Sequence, residues 1–289
     1  MNFNRPVTEI IQQRFSCRTY QDSPIKEDKR EKLSEFMTSL STGPFGTSAR
    51  FYLAAVTQEE RSALRGLGTY GFIKGATGFI IGAIRSSKKD FEDFGYLMEC
   101  IILFATSLEL GTCWLGGSFT RGSFTRRINL RDGEQLPAVA AVGQVSDPER
   151  ARRGFIRQYI NADQRYSWRR MFWKGRFKDP LTPEEAGDFE TPLEMVRLGP
   201  SASNRQPWQV VKEGGALHFY LHRTSVHRQR WLSRILNQSD LQRVDLGIAM
   251  CHFDLTAREF GLKGGWVVKD PAIEGQGDMD EYTASWVKA

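Results

Sequence analysis

The sequence predicts an α+β protein assembled from two diverged copies of one unit. Three observations predict it. Pro24-Ile25 recurs as Pro180-Leu181, and at the same offset Gly43-Pro44 recurs as Gly199-Pro200 and Tyr52 as Trp208. Two long helical stretches, 96–110 and 246–260, each run into a glycine, Gly111 and Gly261, and Gly95 and Asp245 stand at equal distances before those glycines. Each copy then reads as helix, loop, strand, strand, long helix, strand. Such self-similarity is weighed before any single element, because missing it misassigns the whole fold.

The elements follow in order. Ile10 to Arg14 opens as an amphipathic helix. Strands of the first copy are expected at 51–57, 77–84, 113–116 and 138–144. The last contains Ala138-Val139-Ala140-Ala141-Val142-Gly143, a short apolar run of the kind found in a buried strand. Gly111 and Gly261 suit the left-handed position that follows a helix. Strands of the second copy are expected at 209–213, 217–221 and 265–269. The two copies occupy 1–165 and 166–289.

Composition narrows the class. The chain has 289 residues, 40% of them apolar and 12% aromatic, enough for a substantial core. No apolar run of about 18 residues is present, so no membrane-spanning helix is expected. The N-terminus lacks the apolar stretch of a secretory signal. Cys17, Cys100, Cys113 and Cys251 are widely spaced, which argues against a disulfide framework and for a reducing cytoplasm. Net charge is +6, and ten basic residues against the single acid Asp163 crowd the stretch from Arg150 to Lys178. Such a cluster suits an anionic cofactor or a nucleic acid. No helix-turn-helix, zinc-finger or RNP motif accompanies it, so nucleic acid is not the expected partner. No Gly-x-Gly-x-x-Gly follows a strand, so a Rossmann dinucleotide domain is unsupported. The histidines carry no carboxylate or cysteine partners at zinc spacing, and no metal is expected. His218 and His222 are expected to face solvent or an edge, and His252 to pack.

Two stretches carry chemistry. Gly199-Pro200-Ser201-Ala202-Ser203-Asn204-Arg205-Gln206-Pro207-Trp208 is a turn of small, hydrogen-bonding residues that leads into a strand. It offers hydroxyls, an amide and backbone N–H groups to a flat polar ligand; read plainly, it is a helix-to-strand connector. Arg14-Phe15-Ser16-Cys17-Arg18 places two guanidiniums and a hydroxyl within five residues, a cradle for phosphate.

Together these stretches resemble the FMN-dependent nitroreductase family. There a Pro-Ser-x-x-Asn-x-Gln-Pro-Trp loop lies against the flavin, and an N-terminal Arg-x-Ser-x-Arg holds its ribityl chain and phosphate. Gly111-Thr112-Cys113-Trp114-Leu115-Gly116-Gly117 is similar to the family's glycine-rich segment beside the ring. The stretch from Arg165 to Trp173 resembles its phosphate-binding tail, although Ser167 stands in for a proline and Arg169 and Arg170 for acids. Thr69-Tyr70-Gly71 resembles a substrate-side segment of members whose two copies are fused.

The resemblance implies a three-layer α/β/α sandwich and a single-chain pseudodimer that acts as a monomer. It implies an FMN held by Arg14, Phe15, Ser16, Arg18, Leu115, Gly116, Gly117, Arg165, Pro200, Ser201, Ala202, Ser203, Asn204 and Gln206, with Thr69 and Tyr70 at the substrate pocket. The first copy has lost the Asn and Gln-Pro of its loop, Pro44 to Phe51, and the second has no Arg-x-Ser-x-Arg. In a dimer these two motifs come from different subunits, so the surviving halves complete one site and one FMN per chain is expected. The implied reaction passes hydride from NAD(P)H through FMN to an electron-poor small molecule, with no protein nucleophile. Alternatives are a non-catalytic flavin-binding or flavin-delivery protein, and a nucleic-acid binder built on the basic stretch.

Overall fold

The computed structural model describes residues 3–57, 60, 62–145, 164–223 and 240–289. The basic residues from Arg150 to Arg157 lie outside them. The described chain forms two five-stranded sheets, one from each half, around a central pair of helices.

The first half contains α1 (Val7–Gln13), α2 (Glu27–Ser39), β1 (Ala49–Ala55), β2 (Gly78–Arg85), α3 (Asp90–Ser107), β3 (Leu110–Leu115), α4 (Arg121–Arg127), β4 (Glu134–Gln135) and β5 (Val139–Gln144). Its sheet runs β1-β2-β5-β3, with β4 on the end of β2, and every pair is antiparallel. Side chains alternate across a strand, and β2 and β5 are apolar on both faces because both faces are covered. Ile80, Ile84, Ala140 and Val142 join the core under α3, while Phe79, Ile81, Val139 and Ala141 pack with Phe124 of α4 on the other side. This is the expected helix–sheet–helix layering.

The second half contains α5 (Trp168–Met171), β6 (Phe172–Lys174), α6 (Pro183–Ala186), α7 (Glu190–Arg197), β7 (Trp208–Glu213), β8 (Ala216–His222), α8 (Leu241–Glu259), β9 (Gly264–Val267) and β10 (Asp280–Lys288). The order is β6-β7-β8-β10-β9, with β6 parallel to β7 and the rest antiparallel. β10 was not among the expected strands. It separates β8 from β9 and buries Ala284 and Trp286 in the core. His218 is also buried, not exposed, with Nδ1 2.7 Å from Ser285 Oγ of β10; the unforeseen strand covers it. His222 stays exposed beside Asp280.

α3 and α8 meet where each carries a glycine. A Cβ on Gly95 would lie 2.1 Å from Val244 O, and one on Gly247 would lie 2.1 Å from Glu92 O. Each glycine thus sits over the carbonyl three residues before the other, a reciprocal contact that only a two-fold arrangement gives. The contact aligns Gly95 with Gly247 and Asp93 with Asp245, two residues away from the register read from the helix ends. The cause lies at Gly111. α3 stops at Ser107, Glu109 takes the left-handed conformation (φ 61°), and Gly111 is already inside β3. Gly261 does follow α8 in the left-handed region (φ 72°). The two helices share one core with both sheets, from Ile80, Leu97 and Ile101 to Phe219, Phe253 and Trp286.

Candidate functional site

A cavity of about 530 Å³ opens where the two halves meet. The chain builds one wall as a strap. After α1 the backbone straightens, Ser16 bridges to Thr112 of β3, and Cys17 N donates to Thr112 O at 2.8 Å. Lys74 N donates to Arg18 O, and the Tyr20 hydroxyl donates to Cys17 O at 2.7 Å, fixing the far end. The strap lays Arg14, Phe15, Ser16 and Arg18 along the cavity beside Leu115, Gly116 and Gly117 at the end of β3. Gly116 lies close under Leu241, whose Cδ1 would be 2.4 Å from a Cβ added there. That contact seats the first turn of α8 on the end of β3.

Behind the strap lies a buried polar cluster. Glu99 of α3 is fully buried. It accepts from Trp114 Nε1 at 2.7 Å, and its other oxygen is 3.0 Å from His252 Nε2 of α8 and 3.7 Å from Arg14 Nε. His252 Nδ1 lies 2.8 Å from Met195 O, a group that can only accept, so Nδ1 carries a proton. The cluster ties α3, α7 and α8 to two side chains of the cavity wall, Arg14 and Trp114. Composition and motif gave no hint of it; the available signal was a glutamate inside an otherwise apolar helix face.

The opposite wall comes from the second half. Pro200, Ser201, Ala202, Ser203 and Asn204 line it. Ser203, Asn204 and Gln206 all take positive φ (52°, 54° and 47°), a costly run for residues with side chains. Side-chain bonds hold the loop in that shape. Ser201 Oγ accepts from Gln206 N at 2.8 Å, and Gln206 Oε1 accepts from Tyr166 N at 2.9 Å. Arg165 donates to Asn204 Oδ1 at 3.3 Å and to Leu198 O at 3.1 Å, and its side chain lines the cavity too.

α8 closes the space with Leu241, Val244, Asp245 and Ile248, one stripe at helical spacing. Asp245 Oδ1 accepts from Ala202 N at 2.9 Å, and burial pushes its carboxyl well above the usual range. Sequence reasoning missed this residue as a wall of the site.

The structure therefore gathers Arg14, Phe15, Ser16, Arg18, Leu115, Gly116, Gly117, Arg165 and Pro200 to Asn204 around one space. Gln206 is not on the wall but buried behind it as a brace for the loop. Thr69 and Tyr70 do not line the cavity either. Thr69 is buried and Tyr70 is 69% exposed, and from this segment it is Phe72 that lines the cavity. The donor set has a clear chemical bias. Three guanidiniums and a hydroxyl suit a phosphate, and the side-chain-free edge at Gly117, with no heavy atom within 4 Å of an added Cβ, leaves room for a flat ring.

The family model described as "Putative TM nitroreductase" matches residues 6–257. Among solved structures, a "putative nitroreductase" of Thermotoga maritima superposes with a TM-score of 0.61 at 19% identity, over 99% of this chain and 95% of that one. That likeness shows the fold. A nitroreductase family protein of Clostridium difficile matches at 20% identity and TM-score 0.39, over 53% of this chain and 92% of its own. A Desulfovibrio desulfuricans protein solved in complex with FMN matches at 21% and 0.40, over 50% and 89%. No curated protein matches the sequence.

Proposed function

This chain belongs to the nitroreductase family, and on that premise we propose that it is an FMN-dependent oxidoreductase which takes electrons from NAD(P)H and gives them to an electron-poor small molecule such as a nitroaromatic or a quinone. One observation carries the reading. Arg14, Ser16 and Arg18 from one half and Pro200 to Asn204 from the other, some 190 positions later, enclose the same cavity. The first half, 1–165, supplies the phosphate side and the second, 166–289, the loop side, so one chain makes one site and works as a monomer.

The residues present fit the cofactor. Arg14 and Arg18 would hold the phosphate with the Ser16 hydroxyl, and Arg165 would add a third guanidinium. Glu99 and His252 orient Arg14 from behind. Leu115 to Gly117 and the loop at Ala202 would flank the ring. FMN, when bound, supplies the two-electron chemistry between donor and acceptor. The protein binds and orients it, excludes water with Leu241, Val244 and Ile248, and leaves Phe72 at the substrate side. No step requires a protein nucleophile. The four cysteines are buried and form no disulfide, which suits a reducing cytoplasm.

An anaerobic absorbance titration tests the proposal. FMN-loaded protein should lose its flavin band when NADH or NADPH is added and regain it when a quinone follows. A flavin that binds but stays oxidised with both donors would refute the oxidoreductase reading and favour flavin storage or delivery.

A further inference from the structure

Asp245 stands in the second turn of α8 among Leu241, Val244 and Ile248 and is 3% exposed. Its Oδ1 is committed to Ala202 N. Its Oδ2 is buried and has no hydrogen-bond partner among the described residues. The other copy shows what this position does when its site is closed. Asp93, its equivalent across the glycine crossing, accepts from Phe45 N through Oδ1 and from Thr47 N through Oδ2, both at 2.9 Å. Asp93 is fully used in locking the degenerate loop, Pro44 to Phe51, onto α3. The copy that builds the cavity makes a single bond of this kind, from Ala202 N, and among the described residues no donor faces the second oxygen.

Burying an unpaired carboxylate is expensive, so such a group keeps its proton. Burial is the largest influence on the Asp245 carboxyl, and Asp240 at the start of α8 pushes the same way. A protonated carboxyl donates one hydrogen bond. With Oδ1 accepting from Ala202, the proton belongs on Oδ2, the atom without a partner.

We propose that Asp245 is a neutral carboxylic acid whose Oδ2–H donates to an acceptor atom, a carbonyl oxygen or ring nitrogen, of the heterocycle bound in the cavity. The proposal rests on the FMN reading above. It gives the site a selectivity for rings that present an acceptor at this wall, and it makes Asp245 the residue that couples α8 and the Ala202 loop to the ligand. A ring lacking that acceptor would leave a buried donor unsatisfied, a penalty that discriminates strongly between ligands.

The test uses the full chain and the variants Asp245→Asn and Asp245→Ala, each titrated with FMN while flavin absorbance and fluorescence are followed. Infrared difference spectra are recorded with and without FMN. The amide of Asp245→Asn can still accept from Ala202 N and donate to the ring, so its FMN affinity should stay within about threefold of the parent. Asp245→Ala should lose about tenfold, the worth of one hydrogen bond, and its bound-flavin absorption bands should move. The parent should show the infrared band of a protonated carboxyl, displaced when FMN binds and missing from Asp245→Asn. A merely structural role would not displace that band. Parent-like affinity and absorption in Asp245→Ala, or no carboxyl band lost in Asp245→Asn, would overturn the proposal. Failure of the parent itself to bind FMN would instead overturn the cofactor reading on which it rests.

Discussion

Replacing Gly247 by alanine tests the two-fold helix crossing on which the site is built. The added Cβ would lie 2.1 Å from Glu92 O and 2.9 Å from Tyr96 N, both backbone atoms. A carbon sits comfortably about 3.3–3.6 Å from a carbonyl oxygen, so α8 must withdraw from α3 by roughly 1.2 Å. No rotamer change relieves a backbone contact, which puts the cost at the upper end of the overpacking range, about 3 kcal/mol. Alanine returns about 1 kcal/mol through helix propensity. The net loss is about 2 kcal/mol, or a fall of roughly 3 °C in melting temperature for a chain of this size. Thermal and urea melts followed by circular dichroism measure it. Gly122→Ala in α4 is the control. There a Cβ meets only Arg126 Nη1 at 3.8 Å, and stability should hold or rise by up to about 1 kcal/mol. If Gly247→Ala is as stable as Gly122→Ala, the close crossing is wrong, and the alignment of Asp93 with Asp245 falls with it.

Three further outcomes follow from the site. Arg18→Ala should weaken FMN binding by about ten- to a hundredfold, the worth of one charge-assisted contact, while riboflavin, which lacks the phosphate, binds as before; equal losses for both ligands would point to misfolding. Asn204→Ala removes an acceptor from Arg165 and should lower FMN affinity, whereas Ser48→Ala, in the degenerate loop of the other copy, should leave it unchanged; identical behaviour would refute the division of labour between copies. The third concerns pH. The raised carboxyl of Asp245 means that the folded state holds a proton which the unfolded state releases near pH 3.9. Stability of the FMN-free protein should therefore be undiminished by this group below that pH and fall as pH rises toward the folded value. Asp245→Asn should melt higher than the parent at pH 8, with the advantage vanishing toward pH 4; a constant difference would show that Asp245 does not titrate in this way.

The fold was legible where burial left an unambiguous pattern. β2 and β5 are apolar on both faces, and the strands expected at 77–84 and 138–144 fall within a residue or so of Gly78–Arg85 and Val139–Gln144. β10 was not legible, because Tyr282-Thr283-Ala284-Ser285-Trp286 follows a stretch rich in glycine and acids that reads as a loop. The repeat was visible in its loops but placed two residues off in its helices, since Glu109 rather than Gly111 makes the turn after α3. At the site, the motif residues stood out because turn chemistry and paired arginines are local signals. Glu99 and Asp245 did not, because a buried acid in a helix acquires meaning only from what packs against it. Tyr70 and Phe72 show the same limit. Both side chains are exposed, yet only Phe72 stands on the cavity wall, and sequence cannot tell them apart.

On the proposed reading, two halves of one chain, each with half a site, complete a single flavin site. The most direct measurement is the ratio of flavin to protein after reconstitution with FMN, removal of excess and release by heat. One FMN per chain is the expected result. Two per chain would mean that the degenerate copy also binds, and none would mean that the cavity between Arg14 and Asn204 holds something else.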